Sequence, residues 1–74
     1  MKEEHLDMIG ETLELLANKI KEETGEEMLI GWGVDQEGVL TEGFVTSEEM
    51  KYPTACKLLC GITSFAMNQY GNNS

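Results

Sequence analysis

Apolar residues recur at spacings of three and four through the first third of the chain, from about Lys2 to Glu23. In a helix with about 3.6 residues per turn, these spacings bring the apolar residues onto one side. That side carries Leu6, Ile9, Leu13, Leu16 and Ile20. Thr24 and Gly25 follow, and a glycine there favours the left-handed conformation that closes many helices. The pattern predicts an amphipathic first helix that ends before Gly25.

Two apolar segments, Met28 to Val34 and Val39 to Val45, have the residue types of β-strands. The intervening residues 35–38 suit a type I turn with Gly38 at positive φ, so we predict an antiparallel hairpin. A loop of residues 36–38 sets the register and pairs Gly31 with Gly43. One face of this predicted hairpin is bulky and carries Ile30, Trp32, Val34, Leu40, Glu42 and Phe44. The other face is nearly flat and carries Leu29, Gly31, Gly33, Thr41, Gly43 and Val45.

After a short turn over residues 46–52, a second helix is predicted to begin with Pro53 and to run to about Tyr70, stopping at Gly71. Its apolar residues cover more than half of the helix circumference. One thin hairpin and one amphipathic helix cannot cover that much apolar surface, so we expect a homodimer with the second helix in the interface. The candidate interface residues are Leu59, Phe65, Ala66 and Tyr70.

The length of the chain limits it to one core, because 74 residues bury only about 60% of the surface exposed by the unfolded chain. The predicted fold class is therefore α+β, with the order helix, antiparallel β-hairpin, helix. We expect a single domain over residues 1–71 and a frayed tail at residues 72–74.

The charge of the chain is strongly one-sided, with 14 acidic residues, five lysines and no arginine. Binding to nucleic acid or to an anionic membrane needs cationic side chains, so this composition argues against both. A larger protein with a basic surface is the partner that the charge favours.

Four acidic residues lie on the side of the first helix that is roughly opposite its apolar side. They are Glu3, Asp7, Glu11 and Glu14. Like charges one turn apart disfavour the helix by about 0.2–0.5 kcal/mol per pair. One interpretation is a docking surface for a basic groove, such as one that normally holds nucleic acid. The other is a solvated helix face whose first acidic residues are favoured by the helix dipole.

Glycines within strands form a second candidate site, because they often mark the close approach of another backbone or of a flat ligand. Gly31, Gly33 and Gly43 could form such a platform, with Trp32 and Glu42 as an aromatic and a carboxylate contact. The structural alternative is close packing of the second helix on the glycines, with Trp32 in the core.

Catalytic and metal-binding patterns are not recognisable in the sequence. His5, Cys56 and Cys60 are the soft metal ligands, and a closed zinc site needs a fourth. We expect no metal, no cofactor and no enzymatic activity. Cys56 and Cys60 are four residues apart on a helix, which is a poor geometry for a disulfide, so we expect free thiols and a cytoplasmic protein.

Three functions remain open at this stage. The first is a non-enzymatic interaction protein that docks on a larger protein and regulates or inhibits it. The second is a dimer that binds or sequesters a small molecule near Trp32 and the glycines. The third is a subunit whose only task is assembly.

Overall fold

The chain folds as two helices and a two-stranded antiparallel hairpin in a computed structural model, which describes residues 2–71. The elements are α1 (Glu3–Thr24), β1 (Leu29–Gln36), β2 (Val39–Thr46) and α2 (Tyr52–Tyr70). This order confirms the predicted α-β-β-α arrangement and the α+β class. The predicted frayed tail, residues 72–74, lies outside the described residues, and a single domain over residues 1–71 stays a prediction.

Helix α1 forms where the apolar spacing predicts it, and its end is set by Gly25. This residue has a φ of 77°, and its N–H donates a 2.7 Å hydrogen bond to the Lys21 carbonyl. Ala17, rather than the larger Leu16, is the fully buried residue of the helix. The side of α1 that packs against the rest of the fold is therefore rotated slightly from the apolar side that the spacing predicts. Leu16 is about half exposed.

The hairpin turn contains two residues, Glu37 and Gly38, which have φ angles of 52° and 92°. Two consecutive positive φ angles define a type I′ turn, whose twist matches the twist of paired strands. The Gly38 N–H also donates a 2.9 Å hydrogen bond to Oδ1 of Asp35. The predicted type I turn with a longer loop was therefore wrong.

The shorter loop moves the strand register by one residue, so Gly33 faces Glu42 and Trp32 faces Gly43. A one-residue change turns every side chain of one strand to the other face, and both predicted faces were wrong in their β2 half. The first face, mostly half-buried, carries Ile30, Trp32, Val34, Gln36, Val39, Thr41, Gly43 and Val45. The second face carries Leu29, Gly31, Gly33, Asp35, Leu40, Glu42, Phe44 and Thr46.

Ser47 closes the open end of the hairpin and is only 1% exposed. Its N–H donates to the Met28 carbonyl at 2.8 Å, and its Oγ accepts from the Met28 N–H at 3.1 Å. The same hydroxyl donates to Oε2 of Glu27 at 3.2 Å. These bonds extend the strand pairing by one rung beyond the sheet.

The segment between β2 and α2 is tied to α1 by polar contacts at Glu48. The Glu48 N–H donates to Oδ1 of Asn18 at 2.7 Å, and Nζ of Lys21 donates to the Glu48 carbonyl at 2.6 Å. Lys21 also forms a 2.9 Å ion pair with Glu27. One lysine thus joins α1 to the segments that precede β1 and α2.

Helix α2 is the least covered element of the fold. It begins at Tyr52, one residue before the predicted start at Pro53, and is followed by Gly71, as predicted. Helix α1 lies chiefly against β2, whereas α2 touches β1. None of the α2 side chains is fully buried, although this is the more hydrophobic of the two helices.

Candidate functional site

The outward side of α2 is a large apolar surface that no other element within residues 2–71 covers. Phe65 and Tyr70 are 64% and 77% exposed, whereas Leu59 and Ala66 are half-buried. Further exposed apolar side chains on this helix are Tyr52, Ile62 and Met67. The residues predicted to form a dimer interface therefore include two that are largely free and two that already have neighbours.

The protomer exposes more surface than a compact protein of its size. Its accessible surface is 5990 Å², whereas a folded monomer of 8.2 kDa exposes about 4,500 Å². Its radius of gyration is 13.9 Å, compared with about 11 Å for a compact domain of this length. The excess of about 1,500 Å² is larger than the share of about 800 Å² that each partner contributes to a standard protein interface.

An open groove of about 660 Å³ lies between α2 and the hairpin. It brings together all five residues predicted from the sequence to form a ligand platform, and it adds three apolar side chains. The lining is Gly31, Trp32, Gly33, Glu42, Gly43, Phe44, Leu59 and Ile62. Its volume is in the range of small-molecule sites, which run from about 300 to 1,000 Å³.

The arrangement inside this groove differs from the predicted arrangement in two ways. Trp32 and Glu42 are not a cross-strand pair, because Trp32 faces Gly43 and lies on the opposite face from Glu42. Gly31 faces Phe44 rather than Gly43, so the flat glycine pair was wrong. The groove is therefore a mixed aromatic and glycine surface with one carboxylate at its side.

Gly31 and Gly33 have no close neighbour from α2. A Cβ built at either position comes within 4 Å only of atoms in β2, at distances of 3.9 Å or more. The predicted packing of α2 directly on these glycines is therefore not present in the protomer. Within residues 2–71, the space around Gly31 and Gly33 therefore does not require residues without side chains.

The acidic side of α1 is exposed along its length, and its carboxylates are at Glu3, Asp7, Glu11 and Glu14. Within residues 2–71, the ion pairs are Lys19–Glu23 at 3.7 Å and Lys21–Glu27 at 2.9 Å. Both lie toward the C-terminal end of the helix. None of the four carboxylates is thus neutralised by a lysine of the described chain.

Glu27 is the carboxyl group whose acidity is clearly shifted. The hydrogen bond from Lys21 lowers the pKa of Glu27, and the charge of Lys21 and the Ser47 hydroxyl act in the same direction. Partial desolvation raises the pKa and is the second-largest effect, smaller than that of the Lys21 hydrogen bond alone. Glu27 lies where Lys21 joins α1 to the segment before β1. It does not line the groove and is not one of the four carboxylates on the acidic side of α1.

Cys56 and Cys60 are free thiols, one half-buried and one exposed. His5 accepts a 3.4 Å hydrogen bond at Nδ1 from the Lys2 N–H, so it supports the start of α1. Over the described part of the chain, no three histidine, cysteine or acidic side chains come together in a group that could hold a metal ion. No helix there is long and apolar enough to cross a membrane.

Sequence reasoning missed Phe44 and Ile62 as groove residues. Phe44 was assigned to the wrong face by the register, and the Glu-Gly pair at residues 37–38 was the signal that favours a two-residue turn. Ile62 was recognised only as one of many apolar residues on α2. No protein-family model, curated protein or solved structure matches this chain.

Proposed function

We propose that this chain is a small, acidic, non-enzymatic interaction protein that docks on a larger protein and regulates or inhibits it. The observation that carries the proposal is the exposed row of carboxylates on α1, none of them paired with a lysine of residues 2–71. The row extends from Glu3 to Glu14, over about 16 Å of helix at 1.5 Å per residue. That length suits a basic groove on a partner protein.

The charge of the whole chain supports the same function. A net charge of −9 attracts a basic surface before contact and accelerates association, an effect that weakens as salt rises. A protein surface that normally binds nucleic acid is one such partner, since it presents lysine and arginine side chains. Occupation of that surface by α1 would exclude the nucleic acid and so inhibit the partner.

The proposal includes a homodimer in which α2 contributes to the interface. Exposed aromatic residues such as Phe65 and Tyr70 are the residue types that anchor protein interfaces. The excess accessible surface of the protomer supports a partner at this side. Self-association through α2 leaves the acidic side of α1 free, so the two surfaces serve different contacts.

The docking function is tested by reversing the charge at Asp7, Glu11 and Glu14 to lysine. A matched control reverses Glu22, Glu26 and Glu37, which are exposed elsewhere, lie outside the two ion pairs and give the same net charge. Each tagged protein is used to capture proteins from extracts of its source cells, and captured proteins are quantified by mass spectrometry. A specific partner should be retained by the wild type and the control, and lost with the α1 variant.

Two further measurements make this test more specific. The captured partner should be released as the salt concentration rises, and nucleic acid should compete for it if the partner surface binds nucleic acid. Equal capture of the partner by all three proteins would contradict the proposal that the acidic side of α1 is the docking surface. In that case the chain acts through its apolar surfaces alone, as an assembly subunit.

A second candidate function is the binding or sequestration of a small molecule, and the groove favours it. Its volume is suitable, and its lining combines apolar side chains with the Glu42 carboxylate. Trp32 is the one tryptophan of the chain and lines this groove, so a bound ligand should change its fluorescence. A screen of apolar cationic compounds against the wild type and Ile62→Glu checks this function, and emission unchanged across the screen would contradict it.

A further inference from the structure

The strand register determines which backbone groups of the hairpin point away from it. The Ser47 N–H donates to the Met28 carbonyl, which places the even-numbered residues of β1 in the hydrogen-bonded rungs of the antiparallel ladder. The odd-numbered residues therefore direct their N–H and C=O groups outward. On β1 these are Leu29, Gly31, Gly33 and Asp35.

The outer edge of β1 is open in the protomer. No backbone or side-chain hydrogen bond within residues 2–71 reaches the outward main-chain groups of Leu29, Gly31, Gly33 or Asp35. Proteins usually protect such edges with lysine, proline, a bulge or a covering segment. The eight residues of β1 contain no lysine or proline, and a Cβ at Gly31 or Gly33 would come within 4 Å only of β2 atoms and of no atom of α2.

We propose that a second copy of the chain pairs with this edge, so that the two hairpins form one four-stranded antiparallel sheet in the order β2-β1-β1-β2. This inference rests on the proposed homodimer and identifies a second element of its interface. Main-chain hydrogen bonds between edge strands are a recurrent mode of protein association. Because α2 touches β1, its apolar side can contribute to the same interface.

Charge favours a second copy at β1 over an unrelated basic partner. The chain carries a net charge of −9, yet β1 holds only one charged residue, Asp35. Two copies that meet along β1 therefore bring few like charges together. The β2 side is less suitable, because Glu14 of α1 lies beside residues 44–46 of that strand.

The two β1 strands of the proposed dimer are related by two-fold symmetry. Only one symmetric register pairs all four outward-facing residues of each strand with those of the other. Gly31 then lies opposite Gly33 of the partner subunit, and Leu29 lies opposite Asp35 of the partner subunit. Trp32 sits at the symmetry axis, opposite Trp32 of the partner subunit. The glycines allow both backbones to approach without side chains on that face, which explains residues that the protomer itself does not require.

The edge pairing is tested by Gly33→Pro, which removes an outward N–H and places a ring in the edge. The matched control is Glu42→Pro, because Glu42 lies opposite Gly33 on the same rung and points to the other edge. Dimer dissociation constants are measured by sedimentation equilibrium. We expect Gly33→Pro to raise the constant by at least about 100-fold and Glu42→Pro to change it by less than about threefold.

The outcomes separate this inference from the homodimer itself. If the wild type is monomeric at high concentration, both the dimer and the edge pairing are wrong. If Gly33→Pro dimerises as tightly as the wild type, the edge pairing is wrong and an α2 interface remains. If only Glu42→Pro loses the dimer, the sheet is extended at β2, which also overturns the inference.

A cross-linking measurement decides the matter if Gly33→Pro does not fold. In a background of Cys56→Ala and Cys60→Ala, single cysteines replace Ile30, Trp32 or Val34 in turn. At the axis, the Cα atoms of a non-hydrogen-bonded pair are about 4.5 Å apart, a distance that a disulfide can span. Position 30 or 34 would be about 13 Å from its own counterpart. Mild oxidation should link only the variant at position 32, and equal linking at all three positions would contradict the register.

Discussion

The indole of Trp32 lies against Gly43 on the neighbouring strand, so closely that a Cβ built at Gly43 would be 3.0 Å from Cζ2 of the indole. Two further indole atoms, Cε2 and Nε1, would be within 3.2 Å of that Cβ. This contact explains why a residue without a side chain occupies the centre of β2. Trp32 can remain half-buried on a thin hairpin because the backbone of Gly43 forms the surface beneath it.

Replacement of Gly43 by alanine should therefore destabilise the fold. The new methyl group forces the indole away from its position, at a cost of about 1–3 kcal/mol, the usual range for overpacking. Gly31→Ala is the matched strand control, since its nearest atom is 4.0 Å away, and at concentrations below those at which the proposed dimer forms it should not lower the free energy of unfolding. Denaturant unfolding at a fixed protein concentration measures both, and equal effects would contradict the account of Gly43.

Ser47→Ala should be strongly destabilising for so small a change. The hydroxyl is buried, accepts from the Met28 N–H and donates to Glu27, so its removal leaves the half-buried Met28 N–H without an acceptor. We expect a loss of about 1–3 kcal/mol in the free energy of unfolding. Ser64→Ala, at an exposed position in α2, should change it by less than about 0.5 kcal/mol. A similar small effect at Ser47 would mean that the serine does not hold the hairpin end.

The Lys21–Glu27 contact should make stability depend on pH in the acidic range. The pKa of Glu27 is lower in the folded protein than its ordinary value of about 4.3. The ionised Glu27 carboxylate therefore contributes its full stabilisation of the fold above about pH 4.3. This stabilisation is lost as the pH falls through the lower pKa of the folded state. The midpoint difference between the wild type and Glu27→Gln should be largest near neutral pH and should shrink below pH 4. A difference that is constant with pH would rule out this role for the carboxylate.

Replacement by alanine should have opposite effects on stability at Gly10, within α1, and at Gly25, directly after it. Gly10 lies within the helix with nothing within 4 Å of a built Cβ, so Gly10→Ala should stabilise the protein by about 0.5–1 kcal/mol. Gly25 has a φ of 77°, and a side chain there should destabilise it by about 1–2 kcal/mol. Thermal unfolding of the two variants gives the comparison. Stabilisation by both would show that the left-handed cap at Gly25 is not maintained in solution.

The proposed contribution of α2 to the dimer predicts a specific effect at Phe65. Phe65→Glu places a charge on the exposed apolar side and should weaken dimerisation by about 30-fold, equivalent to about 2 kcal/mol for an aromatic anchor. Thr63→Glu adds the same charge to another side of the helix and should leave the dissociation constant nearly unchanged. Sedimentation equilibrium measures both. Equal weakening would indicate general charge repulsion instead of a contact at Phe65.

The order of the elements, and the bounds of the helices to within about one residue, could be predicted from the sequence because local signals set them. The apolar spacing of α1, the glycine that ends it and Pro53 at the start of α2 act within a few residues. The strand register could not be derived in the same way. A hairpin with a two-residue turn and one with a three-residue turn differ by a small local free energy. The length of the turn nevertheless decides whether Phe44 or Val45 shares a face with Trp32.

The composition of the candidate groove was partly predictable for a different reason. Trp32, Gly31 and Gly33 follow one another on β1, so any hairpin keeps them in one region. Leu59 and Ile62 could not be placed beside them, because that depends on where α2 rests on β1. The polar contacts of Lys21 and Asn18 with Glu48 join residues far apart in the sequence, and no local pattern predicts such contacts.

A hairpin with two open edges is a unit that could, in principle, add copies without end and grow into a fibre. In this chain Glu14 of α1 lines an open surface pocket together with residues 44–46 of β2. Each added copy at β2 would bring two acidic helices together. In the proposed dimer, repulsion between the acidic α1 helices would therefore oppose the addition of a third copy at β2.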